Sequence, residues 1–163
     1  MEGNRTKSRL LLVFGAPCSG KTTFAEKFAK KYNLAYFNIN RLAEEDKFSR
    51  EDILKILDLL SYTRANIIIE GGIDTEEERT EIRNIFRAAH YEPSLIWIQT
   101  DIATIRNRLR MKYKAIAKAK KVLEGADRLE APADYENPII LSGKHTFETQ
   151  SKHVLAGLAD VDK

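Results

Sequence analysis

Short apolar runs alternate with longer stretches of helical periodicity along almost the whole chain. Arg9-Leu-Leu-Leu-Val-Phe14 is continuously apolar after its first residue, the pattern of a strand buried on both faces of a parallel sheet. Phe24, Ala25, Phe28 and Ala29 then recur at helical spacing with Glu26, Lys27, Lys30 and Lys31 on the other side, which predicts an amphipathic helix ending near Asn33. A second strand is expected over about Ala35 to Ile39. Ser49 and Asp52 have the spacing of a capping box and open a helix that buries Ile53, Leu54, Ile56, Leu57 and Leu60. Asn66-Ile-Ile-Ile-Glu70 reads as a third strand stopped by Gly71-Gly72, and Thr75 with Glu78 repeats the capping box for a helix to about His90. Ser94 to Gln99 is a fourth strand. Asp101 with Thr104 begins a long basic helix that ends between Tyr113 and Gly125. A loop punctuated by Pro132 and Pro138 leads to a last strand, Ile139 to Leu141, and a helix from about Thr146 to Leu158. This alternation predicts an α/β fold, a three-layer α/β/α sandwich on a five-stranded parallel sheet.

Composition narrows the picture only slightly. With 163 residues, 43% of them hydrophobic, the chain can build one sizeable core and not two, so a single domain over residues 1–163 is expected. The first eight residues and the last few are expected to be mobile. Net charge is +3, yet residues 106–121 hold eight basic side chains and no acidic one. Cys18 is the only cysteine, which excludes an intrachain disulfide and favours a reducing compartment. No apolar run approaches the ~20 residues of a membrane span, and Met1 to Ser8 are polar, so a cytoplasmic protein without membrane contact is the expectation.

The chemistry is concentrated in Gly15-Ala16-Pro17-Cys18-Ser19-Gly20-Lys21-Thr22, the G-x-x-x-x-G-K-[ST] pattern of a phosphate-binding (Walker A) loop, lying between a predicted strand and a predicted helix. Its glycines let the backbone curl so that N–H groups point at phosphate oxygens. Lys21 brings positive charge to the β- and γ-phosphates, Thr22 offers a hydroxyl of the right length to ligate Mg²⁺, and Thr23 continues the helix N-terminus facing the anion. Phosphoryl transfer needs, besides, a group that orients the attacking hydroxyl. Glu70, at the carboxyl end of a strand beside the loop, is the candidate; the same carboxylate can instead hold Mg²⁺ through water or cap the Gly71-Gly72 turn.

From these residues onward the chain resembles the P-loop kinases of the adenylate-kinase-like group, in particular small kinases similar to the kinase domain of phage polynucleotide kinase and to zeta toxins. The loop carries most of the likeness. Glu70 followed nine residues later by Arg79, the pair Asp101 and Arg108, and Tyr135-Glu136-x-Pro138 ahead of the last strand add to it. The resemblance implies Mg²⁺-dependent transfer of the γ-phosphoryl group of ATP to an acceptor, with about residues 106–135 acting as a lid. Arg108 is the first choice for a lid arginine and Arg110 the second. Lys144 and His145 fall where the resemblance places the adenine loop.

One position departs from that pattern. Where similar kinases carry an acid just after the second strand, this chain has Asn40, and an amide cannot serve as a base. Either Glu70 or one of Glu44, Glu45 and Asp46 takes that role, or the acceptor is not the usual hydroxyl. Arg41, next in the chain, can grip an anionic substrate or simply sit in solvent. A second reading therefore stands beside the kinase: a non-catalytic ATP-binding module whose basic helix binds a partner. The lack of N-K-x-D and of D-x-x-G after the third strand argues against a regulatory GTPase, which the size would allow. A nucleic-acid end ranks below small acceptors, because Tyr113 alone interrupts the basic run. Arg79, Arg83 and Arg87, four apart among Glu76, Glu77, Glu78 and Glu81, are expected to form surface ion pairs. The three histidines are too far apart for a metal site.

Overall fold

A computed structural model describes residues 7–114 and 116–161. The expected mobility of the first eight residues concerns positions that, from 1 to 6, lie outside the described part. Ser8 is tied down, its carbonyl accepting from Glu92 N and its hydroxyl donating to Arg64 O.

Five strands form one parallel sheet in the order β2-β3-β1-β4-β5. They are β1 (Arg9–Phe14), β2 (Ala35–Asn38), β3 (Ile67–Glu70), β4 (Glu92–Gln99) and β5 (Ile139–Ser142). Alternate residues of the central strand feed two separate apolar layers. Leu10, Leu12 and Phe14 pack with Ile67, Ile69, Ile53, Leu57, Ile82 and Phe86, under α3 (Arg50–Ser61) and α4 (Glu76–Ala88). Leu11 and Val13 pack on the opposite face with Phe24, Phe28, Val154 and Leu158, from α1 (Lys21–Tyr32) and α7 (Phe147–Val161). Burial of β1 on both sides is why it reads as an unbroken apolar run, and it gives the three-layer sandwich expected from the sequence.

The helix starts follow their local signals. Ser49 and Thr75 both close reciprocal capping boxes, with Asp52 and Glu78, and Asp101 caps α5 (Ile102–Lys112) by accepting from Thr104 N. Asn33 ends α1 in a left-handed conformation. Two features differ from expectation. A short helix, α2 (Ile39–Glu44), follows β2 at once, capped by the Asn38 side chain. The long basic helix is broken in two: α5 stops at Lys112, and α6 (Ile116–Gly125) begins beyond it. Among the described residues of lysine-rich α6 none is buried, and α5 keeps only Ile105 and Leu109 inside. Among the described residues no helix is long and apolar enough to cross a membrane.

Candidate active site

The phosphate loop leaves β1 at Phe14 and enters α1 at Lys21, at the carboxyl edge of the sheet. Gly15 is required by crowding: a Cβ there would strike the Ile98 carbonyl and lie 2.9 Å from Ser19 Oγ. Cys18 adopts φ 59°, the left-handed conformation that lets a short loop turn back on itself. Lys21 lies along the loop, its Nζ donating to Ala16 O at 3.3 Å. Burial lowers its pKa, opposed by the nearby charges of Glu70 and Asp74.

β3 lies directly beside β1, with Glu70 in register with Val13, so its last residue reaches the loop. Glu70 is buried, 1% exposed, and one of its oxygens is crowded with donors: Thr22 Oγ1 at 2.7 Å, the Tyr36 hydroxyl at 2.9 Å and Asn38 Nδ2 all donate to Oε1. Burial first, and then the Glu70 charge and hydrogen bond, push the Tyr36 phenol well above its ordinary value, so it stays a donor. Among the described residues Oε2 has no hydrogen-bond partner. A buried carboxylate oxygen held without a partner, next to a threonine hydroxyl, is a hard-oxygen pair of the kind Mg²⁺ takes, since Mg²⁺ is bound by one or two protein oxygens together with phosphates and water. No cluster of three or more His, Cys, Asp or Glu suited to a metal occurs among the described residues.

Tyr36 and Asn38 were missed by the sequence reading. They are alternate residues of β2, on one side of the strand, and β2 pairs with β3 so that Asn38 stands opposite Glu70. The period-two signal is visible in the sequence; the strand order that gives it meaning is not. Asp74 was missed as well. It is half-buried four residues beyond Glu70, and burial raises its pKa while the Lys21 charge opposes the rise.

On the other side of the loop, Arg108 from α5 donates to Cys18 O at 3.0 Å and to Gly143 O at 2.8 Å. It clips the phosphate loop to the β5–α7 connection. Gly143 fits there for lack of a side chain, because a Cβ would collide with Thr100 Oγ1 and the Ser19 carbonyl. The expected Asp101–Arg108 pairing does not occur: Asp101 is engaged by Lys144 Nζ at 2.6 Å, and that pair is exposed. The Lys144 ammonium, with the Thr104 N–H and hydroxyl, holds Asp101 far below the usual carboxylate range. Lys144 is thereby committed away from a base, whereas His145 lines a cleft with Gly20, Lys21, Thr22, Thr23, Lys27, Arg108 and Phe147. That cleft holds about 460 Å³, within the roughly 300–1,000 Å³ of small-molecule sites. Arg110 is exposed on α5.

One further expectation is corrected. Arg79 and Arg83 are not surface residues: Arg79 is wholly buried, bidentate to Glu136 at 2.9 Å through both nitrogens, and Arg83 reaches the same carboxylate at 2.6 Å. Glu76, Glu77 and Glu81 face solvent, as does Arg87, while Arg79 and Arg83 turn toward the carboxylate of Glu136. Glu136 is thereby the centre of a buried ion cluster. Of the two alternatives for Arg41, the side chain is exposed and paired with Glu45 in the next helical turn at 2.9 Å. Asn40 uses its Oδ1 to accept from Gly72 N at 3.0 Å, bracing the loop after β3.

A five-stranded parallel sheet carrying this loop, with Thr22 joined to a carboxylate on the neighbouring strand, defines a P-loop domain with a kinase-like fold. The chain belongs to the AAA_33 family of AAA domains, whose model matches residues 10–132. Among solved structures it is similar to a gluconokinase from Sinorhizobium meliloti 1021, with a TM-score of 0.68 at 14% identity, covering 96% of this chain and 95% of that one. An APS kinase from Mycobacterium tuberculosis, solved with AMPPNP and APS, matches with a TM-score of 0.61 at 18% identity over 94% and 98% of the two chains. Shikimate kinase from Aquifex aeolicus matches with a TM-score of 0.55 at 17% identity, again over 94% and 98%. These identities speak for the fold alone. No curated protein matched the chain.

Proposed function

We propose that the chain is a cytoplasmic phosphotransferase that moves the γ-phosphoryl group of ATP to a hydroxyl acceptor with the help of Mg²⁺. The observation that carries this reading is the hydrogen bond from Thr22 to the buried Glu70 carboxylate at the mouth of the phosphate loop, beside Lys21. Backbone N–H groups of the loop from Cys18 onward, beyond Pro17, and the N-terminus of α1 receive the triphosphate, and the Lys21 ammonium lies against the β- and γ-oxygens. Thr22 and Glu70 are the residues that would hold Mg²⁺, which supplies charge neutralisation between the β- and γ-phosphates. Arg108, already at the loop, adds positive charge where the transferred group becomes exposed; Arg110 stands behind it on the same helix. The base of ATP enters the cleft at His145 and Phe147.

A non-catalytic ATP-binding module is the second reading, favoured by Asn40, whose amide is committed to Gly72 and offers no base. The two readings separate in one experiment: ADP release from Mg²⁺-ATP by the pure protein against a panel of hydroxyl acceptors, with Glu70→Gln alongside. Acceptor-stimulated release that Glu70→Gln abolishes while still binding ATP is the expected result for a phosphotransferase. Saturable ATP binding with no stimulated release by any acceptor, water included, supports the module.

A further inference from the structure

The acid missing at Asn40 leaves the transfer reaction without a partner for the acceptor's proton, and Glu70 is a poor substitute because three donors crowd its Oε1 and its remaining oxygen, Oε2, is the one offered to Mg²⁺. The edge of the sheet offers another carboxylate. Arg79 is buried over the Phe14 ring, its guanidinium 4.8 Å from the ring centroid, and donates to the main-chain carbonyls of Ile73 at 3.3 Å, Asp74 at 3.1 Å and Glu130 at 3.2 Å. Phe14 is the last residue before the phosphate loop. The backbone of Asp74 is thus pinned against the start of that loop. It is held a second time by Glu130 N, which donates to Asp74 O at 2.8 Å, and the turn before it is braced by Asn40. The Asp74 side chain is half-buried, feels the Lys21 charge, and makes no hydrogen bond among the described residues.

We propose that Asp74 is the catalytic base that accepts the proton of the acceptor hydroxyl, taking the place that Asn40 cannot fill. This rests on the phosphotransferase reading. As the acceptor oxygen forms its bond to the γ-phosphorus, its proton passes to the Asp74 carboxylate. The bond between the γ-phosphorus and the β–γ bridging oxygen breaks, and ADP leaves with that electron pair. The groups that set the charge state of Asp74 are Lys21 from α1, Glu78 and Arg79 from α4, and Arg128 from the turn after α6. Burial is the largest influence and makes the carboxylate a stronger base than a solvated one, which favours proton transfer near neutral pH. Asn40 Oδ1 accepts from Gly72 N and so fixes the turn that leads to Asp74.

The test is ADP release from Mg²⁺-ATP by the full chain, with a panel of neutral and amino-bearing polyols and with water as the simplest hydroxyl acceptor, for wild type, Asp74→Asn, Asp74→Glu and Lys21→Ala. Calorimetric ATP binding and thermal melting of each variant run beside it. Asp74→Asn should lower kcat by about 10²–10⁴-fold, the range for loss of a positioned base, with ATP affinity and melting temperature unchanged. Wild type should lose activity toward acid pH along a limb that Asp74→Asn lacks and Asp74→Glu retains. Wild-type kcat and pH profile in Asp74→Asn, or a loss explained wholly by weaker ATP binding or a lowered melting temperature, overturns the inference and leaves the phosphotransferase standing. Wild-type ADP release no faster than that of Lys21→Ala with every acceptor overturns the phosphotransferase reading itself, and Asp74 with it.

Discussion

Glu70 illustrates how much one side chain can be asked to do when its two oxygens have different surroundings. Oε1 is saturated by Thr22, Tyr36 and Asn38, whereas Oε2 is buried without a partner among the described residues. Glu70→Gln keeps the shape and an oxygen for the three donors but replaces the charged, unpartnered second oxygen by an NH₂ group, so turnover should fall by about 10²–10³-fold, as when one preorganised group is removed, while calorimetry still detects ATP binding. Tyr36→Phe removes a single neutral donor from the same oxygen. It should cost about 0.5–1.5 kcal/mol, read as a several-fold lower kcat at unchanged KM for ATP in the ADP-release assay. Lys21→Ala, by contrast, should remove ATP binding outright, because it deletes the ammonium that lies along the loop against Ala16 O.

At the scale of elements, the joint between α4 and the segment after α6 decides whether the site holds together. Arg79, Arg83 and Glu136 form a buried ion cluster, and the same Arg79 fixes the carbonyls of the Ile73-Asp74 turn and of Glu130. Removing one partner of such a cluster leaves an uncompensated buried charge. Glu136→Gln should therefore lower stability by about 3–5 kcal/mol, measured by urea unfolding. The cluster also makes a pH prediction. Burial pulls the Glu136 carboxyl upward, but the Arg79 hydrogen bond, the Ala133 N–H and the two arginine charges together hold it below its ordinary value of 4.5. A carboxyl depressed by folding contributes stability at any pH above 4.5, and that contribution is lost as the pH falls below it toward the folded-state value. Unfolding free energy should thus drop below pH 4.5 in wild type and show a weaker drop in Glu136→Gln.

For the molecule as a whole, the phosphate loop lies at the point where the two apolar layers, α1 and the ends of β1 and β3 meet, so ligand binding and folding are linked. Mg²⁺-ATP at about 100 times its Kd should stabilise the chain by about 2.7 kcal/mol, seen as a raised melting temperature in a thermal-shift measurement, and Lys21→Ala should remove the effect. Salt should weaken whatever steering the basic stretch from Arg106 to Lys121 exerts, since these side chains are mostly exposed and screened.

Fold class, sheet composition and the phosphate loop were determined by the sequence alone, because their causes are local: unbroken apolar runs for doubly buried strands, Ser49, Thr75 and Asp101 for helix starts, and glycines where the loop must curl. Strand boundaries came within a residue or two for the same reason. Local signals failed where a residue's meaning depends on a distant partner. Arg79 and Arg83 look like surface arginines among glutamates until the chain returns 50-odd residues later with Glu136. Tyr36 and Asn38 acquire a role only because β2 lies next to β3 rather than elsewhere in the sheet, and Asp74 only because Arg79 ties its backbone to the end of β1. Spacing along the chain fixes what each segment can become, but which side chains share one buried carboxylate is decided by strand order and by the desolvation that forces every buried charge to find a partner.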